Sequence, residues 1–124
     1  PRIILKGRQP NIALRHALQR ASVSLCTSVR ESLHIASAEA LCSGASVVGP
    51  DLDEVPAMKW FASGEFGTLA SRNPQDLGRA LLNELELWRS GKRSPESIAS
   101  HWQGILHAPL IAQKILRLVE PLRK

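Results

Sequence analysis

Two rhythms of apolar and polar positions run along this chain. From Asn11 onward, Leu14, Ala17, Leu18 and Ala21 recur at i, i+3, i+4 and i+7, the spacing that gathers side chains on one face of an α-helix. Residues 22–28, "SVSLCTS", switch to a period of two, with Val23 and Leu25 set against polar neighbours, and predict a strand. The helical rhythm returns with Leu33, Ala36, Ala40 and Leu41, and Gly44 stands where a C-terminal cap is wanted. Residues 46–49, "SVVG", form a short β-branched run stopped by Pro50 and predict another strand. An earlier run of the same kind, "IILK" at 3–6, is closed by Gly7 and reads as a buried strand.

Further on, "GEFGTLAS" supplies a short strand at 68–70. "NPQD" then starts a helix in favourable form: Asn73 as N-cap, Pro74 at the first helical position and Asp76 in the first turn. Leu77, Leu81, Leu85 and Trp88 make its apolar stripe, and Gly91 ends it. Ser94 and Pro95 repeat the start signal for a helix to about His107, and Pro109 opens a last one carrying Ile111, Ile115, Leu118, Val119 and Leu122. Strands and helices that alternate with short connections imply parallel pairing and right-handed crossovers. The expected fold class is therefore α/β, a Rossmann-like three-layer parallel sheet with helices on both faces and a helical C-terminal third. A single domain is expected over 1–124, with an α/β part at 3–90 and C-terminal helices over 91–124.

Composition narrows the picture. With 124 residues, 44% hydrophobic and 22% charged, the chain resembles an ordinary folded domain rather than a disordered or fibrous one. No run approaches about eighteen apolar residues and no secretory leader stands at the front, so a cytoplasmic location is the default expectation. The sequence opens at Pro1 without Met and enters an apolar run at once, which points to a piece of a longer protein. Cys26 and Cys42 lack CxxC spacing and are expected as free, buried thiols. The net charge of +5 suits a phosphate-bearing ligand or a membrane surface, but the Lys and Arg residues are dispersed and aromatics make up only 4%, which argues against a nucleic-acid binder. Trp60 and Phe61 are expected to fill core rather than stack a base, and as adjacent residues they cannot face the same way.

In an open parallel sheet, ligands bind beyond the carboxyl ends of the strands. The turn after the 22–28 strand, "TSVRES", occupies that place and contains Glu31. The helix that follows offers unpaired N–H groups and a positive dipole end, a seat for a phosphate. An acid beside such a seat opposes the phosphate, so Glu31 suits hydroxyl groups attached to it. Glu39 stands eight positions on. At the helical rise the two carboxylates are about 12 Å apart along the axis and offset by roughly 80°, beyond the ~5–9.5 Å of a glycosidase pair. A ligand with hydroxyls at both ends and phosphates between them, the shape of a nucleotide-sugar, suits that spacing. Plainer readings stand beside this one. Ser28 and Glu31 match a Ser-x-x-Glu capping box, Glu39 alone is commonly a solvated helix acid, and His34 with Glu31, Glu39 or Cys42 fits no standard metal-ligand set.

Joined to their flanks, these residues resemble the C-terminal half of a GT-B fold glycosyltransferase of the family-4 type, the retaining group that uses nucleotide-sugars. The hallmark there is Glu, seven residues, Glu, within "S-x-x-E-G-F-G-x-x-x-x-E-A-x-A-x-G-x-P-V-V", matched here by Ser28, Glu31, Glu39-Ala40, Gly44 and Val47-Val48. "IILKGRQPNIALRHALQRASVSLCTS" is similar to the family's strand, glycine, helix and "ADV-x-x-x-PS" segment, and "DEVPAMKW" with "GEFGTLASRNPQDLGRALLNEL" to its later acid, glycine turn and helix. The likeness covers roughly residues 3–90. It implies transfer of a hexose from a nucleotide-sugar, with Glu31, Ser32 and His34 at the donor sugar. It further implies the backbone amides of His34, Ile35 and Ala36 at the pyrophosphate, Glu39 at the ribose hydroxyls, and Gly7 and Arg8 near the base. No metal, cofactor or covalent nucleophile is implied. Ser32 and His34 stand where the family commonly has Gly, and Pro50-Asp51-Leu52-Asp53 replaces a glycine-bearing loop before the acid that Glu54 matches. The resemblance also implies a preceding acceptor-binding domain, without which the fragment transfers no sugar. It is compatible with peripheral association at the inner face of the membrane and with a homo-oligomer. The competing expectation is a non-catalytic α/β interaction module with a degenerate site.

Overall fold

The structure, a computed structural model, describes residues 3–123. In chain order it contains α1 (Asn11–Leu18), β1 (Val23–Leu25), α2 (Ile35–Cys42), β2 (Ser46–Pro50), α3 (Pro56–Phe61), β3 (Gly67–Ala70), α4 (Pro74–Arg89), α5 (Pro95–Leu106) and α6 (Ala108–Val119), with 3-10 turns at Gly64–Phe66 and Glu120–Arg123. The three strands form a parallel sheet in the order β1-β2-β3, with Val23 opposite Ser46 and Val47 opposite Gly67. The chain is thus α/β, as its two rhythms predict.

β2 lies between its neighbours and is buried at every position. That explains why residues 46–50 read as a near-continuous apolar run rather than an alternating one. Successive side chains on the strand point in opposite directions. Val47 joins a cluster with Leu41 of α2, Met58 and Phe61 of α3, and Ile98 and Trp102 of α5. Val48 instead packs with Leu77 and Ala80 of α4. Because α5 contributes two of the most deeply buried side chains to the Val47 cluster, the helices after residue 90 share the core of the sheet rather than forming one of their own. Of the two adjacent aromatics, Phe61 is fully buried and Trp60 is 45% exposed, stacking on Phe61 at 5.3 Å.

Close approach dictates two glycines. Gly44 ends α2 with φ of +93°, and a Cβ there would come 2.7 Å from the Pro95 carbonyl oxygen. A Cβ on Gly67 would come 2.1 Å from the Val47 carbonyl oxygen of the neighbouring strand. The helix starts read from the sequence also appear: the Asn73 side chain accepts from the Asp76 N–H at 2.8 Å, and the Ser94 hydroxyl accepts from the Ser97 N–H at 3.2 Å. Asn73→Ala is expected to lower stability by about 1 kcal/mol, read as a lower urea midpoint with an unchanged slope.

One expected strand is absent. Residues 3–6 take no strand pairing, and Ile3, Ile4 and Leu5 are 89%, 62% and 93% exposed. A strand exists through its partners, and among the described residues no strand lies beside this segment to satisfy its N–H and C=O groups. The helix at α1 forms as its spacing predicts, but none of its residues is buried, so its apolar face is not part of the core. Leu33 falls in the loop before α2. α6 packs against α5, and its stripe stays open, with Ile111, Ile115, Leu118 and Val119 all exposed. The Leu122 side chain lies outside the described ones, as do Pro1 and Lys124. No helix among the described residues is long and apolar enough to cross a membrane.

A buried polar joint ties β3, α4 and the start of α5 together. Glu84, 0% exposed on the sheet-facing side of α4, accepts from Arg93 Nε at 2.5 Å and Nη2 at 3.0 Å, and from Thr68 Oγ1 at 2.6 Å. Beside it, Trp88 Nε1–H donates to Ser46 Oγ at 2.8 Å. Burial alone would push the Glu84 carboxyl up, but hydrogen bonds from Arg93, Thr68 and Ser46 with the Arg93 charge hold it below the ordinary glutamate range.

Candidate functional site

Parallel pairing brings the carboxyl ends of the strands to one edge, from which the loops 26–34, 51–55 and 71–73 leave. The first two are pinned to each other: the half-buried Glu31 donates its N–H to the Glu54 carbonyl at 2.9 Å. The second is fixed in turn to β3, through Asp51 N–H to the Ala70 carbonyl at 2.9 Å. Lys59 of α3 pairs with Asp53 at 2.6 Å and Asp51 at 3.5 Å. Its hydrogen bond holds the Asp53 carboxyl below the usual range. The 51–55 loop is therefore tied to α3 by an exposed ion pair.

α2 begins at Ile35, and its N-cap is His34. Nδ1 of His34 accepts from the Ser37 N–H at 3.2 Å and lies 2.8 Å from Ser37 Oγ. An N–H donated into Nδ1 leaves the proton of the neutral ring on Nε2. This arrangement corrects two expectations. The Ser28–Glu31 capping box does not form, because both residues precede the helix start and the His34 ring does the capping instead. Nor does the axial spacing of about 12 Å apply, since Glu31 sits in the loop and only residues 35–39, about 6 Å of axis, separate the helix start from Glu39. The N–H groups of Ile35 and Ala36 head the helix without an intrahelical acceptor, while that of Ser37 is taken by His34. Ser32 is exposed in the same loop. Gly7, with φ of +61°, and Arg8 lie in the exposed segment before α1.

Glu39 is exposed on α2 and lines an open cleft of about 380 Å³ with Asn11, Leu14, Arg15 and Leu18 of α1 and with Cys42 and Ser43. Glu31, Ser32 and His34 do not line it. Positions 11, 14, 15 and 18 lie on one face of α1, and 39 and 42 on one face of α2 with Ser43 as its C-cap, so the cleft is the open space between the two helices. Burial raises the Cys42 thiol above its ordinary value, and both cysteines are free. Asn11 and Arg15 were not singled out by sequence reasoning, although their place on the Leu14–Leu18 face was visible in the spacing. Another groove, of about 400 Å³, lies between the open side of β1 and α4, bordered by Leu25, Val29, Arg72, Pro74 and Leu81.

Among the described residues, no three His, Cys, Asp or Glu side chains gather where they could hold a metal ion. What the arrangement offers chemically is a helix N-terminus with two open amides at the sheet edge and, one turn along the same helix, a carboxylate facing an amphipathic cleft. No model of a known protein family matches this chain, and no curated protein matches it either.

Proposed function

We propose that this chain is the latter part of the nucleotide-sugar-binding domain of a retaining, family-4-type glycosyltransferase with a Rossmann-like three-layer sheet, in a longer protein whose acceptor domain precedes it. Glu31 would hold hydroxyls of the donor sugar, the amides heading α2 the pyrophosphate, and Glu39 the ribose hydroxyls. The leaving diphosphate would be stabilised by preorganised amides here and by basic side chains from the preceding part of the domain, with no metal required. The observation that carries this reading is the placement of the two glutamates on one strand-loop-helix unit: Glu31 in the loop at the carboxyl edge, Glu39 on the following helix facing an open cleft. Strand order supports it as well. In the doubly wound order 3-2-1-4-5-6, strands four to six are neighbours in sequence order while strand three pairs with strand two. β1, β2 and β3 follow one another in that way, and the 3–6 segment has no partner beside β1.

Calorimetric titration of the full-length protein with UDP-, GDP- and ADP-sugars tests the reading. One donor should bind, and Glu39→Ala should weaken it by about 2 kcal/mol, roughly thirtyfold in Kd, because a charged acceptor of two hydroxyls is lost. Unchanged affinity in the variant would sink the assignment. The second reading, an interaction module that keeps the fold without the site, is favoured by the His34 ring, which caps α2 through the Ser37 N–H in the same turn as the amides of Ile35 and Ala36. It predicts that none of the three donors binds.

A further inference from the structure

We infer that α6 is a membrane-surface anchor, which lays its apolar stripe into the interface of a bilayer carrying anionic lipid. Every residue of α6 is exposed, yet among the longer helices none separates apolar from polar side chains more sharply. Ile111, Ile115, Leu118 and Val119 are 39%, 54%, 74% and 38% exposed. At 3.6 residues per turn these four fall within an arc of about 100°, the width of face by which a helix of a globular protein ordinarily meets its core. Here the face meets no core: Ile98 and Trp102 of α5 join the Val47 cluster, whereas no residue of α6 belongs to either core cluster.

Charge decides what the stripe meets. Lys114 stands at its border, about 40° past Leu118, and Arg117 lies about 60° further round, whereas Glu120 falls on the far side. Among the described residues neither Lys114 nor Arg117 enters an ion pair. With Arg123 and Lys124, the last 17 residues carry four basic residues and one acid, so three of the chain's five excess positive charges stand at this end. A two-fold contact with a second copy would set this patch against itself, bringing two net-basic ends together. Anionic headgroups offset that charge instead, and the long Lys and Arg stems can follow the apolar surface while their heads stay at the level of the lipid phosphates. No residue of α6 lines the Glu39 cleft, so the anchor and the donor-binding reading stand or fall separately.

The test is flotation of the full-length protein with vesicles of phosphatidylcholine alone and of phosphatidylcholine mixed with phosphatidylserine. Binding should require phosphatidylserine and should fall as salt is raised from about 0.1 M to about 1 M. Lys114→Gln together with Arg117→Gln should lower the partition coefficient roughly twenty-fivefold, about fivefold for each basic residue, and Leu118→Asp should remove binding. Because the Leu118 side chain lies in the open, its replacement should leave the urea midpoint and the sedimentation coefficient where they are. Absence of binding by the wild-type protein, equal binding to the two vesicles, or binding that either variant leaves unchanged overturns the inference. So does either of two structural responses to Leu118→Asp: a lower urea midpoint would mean that another part of the longer protein covers the stripe, and a smaller sedimenting species that a second copy does.

Discussion

Replacing Glu84 with alanine is expected to destabilise the fold by about 3–5 kcal/mol, the range for removing one partner of a buried ion pair. That is a large share of the ~5–15 kcal/mol by which domains are stable. The loss comes from what is left behind. The Arg93 side chain is only 8% exposed and would keep its charge with no carboxylate to meet it, and Thr68 would lose its acceptor. Chemical denaturation of the two proteins checks the size. The pair also sets a pH dependence whose sign follows from the direction of the shift. Glu84 is held below its ordinary value of 4.5, so the unfolded chain binds the proton more readily than the folded one. Its contribution is therefore complete above that ordinary value and is lost as pH falls through the lower, folded one. Urea midpoints from about pH 7 down to about pH 3 should fall less steeply in Glu84→Gln than in the wild-type protein.

Trp102→Ala should cost a similar amount, about 3–5 kcal/mol, through the cavity it opens. Trp102 is 1% exposed and touches the rings of Trp60, Phe61, Phe66 and His101 at centroid distances of 5.1 to 5.5 Å. Trp102→Phe should be much milder. The indole Nε1–H finds no acceptor among the described residues, and an unmet buried donor costs about 1–3 kcal/mol, so its removal offsets part of the lost volume. Equal destabilisation by Ala and Phe, measured by denaturant unfolding, would contradict this account of the site.

How much of this was legible in the sequence depends on whether the physics is local. Asn73, Pro74, Ser94, Pro95 and Gly44 mark helix ends through contacts within a few residues, and each marks one in the structure. The strand at 3–6 was misread because pairing is non-local: three β-branched or leucine side chains state a preference, and only a neighbouring strand can satisfy it. Glu84 shows the opposite case. It follows Leu77 and Ala80 at i+7 and i+4 on the buried face of α4, yet its polarity hides that place until Arg93 arrives from beyond the next turn. At the site, the residue types of the loop and of α2 were legible, but the His34 cap was not, because Ser28 and Glu31 form the commoner signal a few residues too early.

The order of the strands has a kinetic consequence. Each strand pairs with the one that follows it in sequence, separated by a single helical crossover, so every sheet contact closes a loop of modest length. Loop-closure entropy rises with the stretch of chain that must be gathered, and folding rates fall with the mean sequence separation of contacts. This sheet can therefore be assembled one crossover at a time from β2 outward, without waiting for distant segments to meet. Docking of α5, whose Ile98 and Trp102 join the Val47 cluster and which lies against α2, closes a longer stretch of chain than either strand pairing and so carries a larger loop-closure cost.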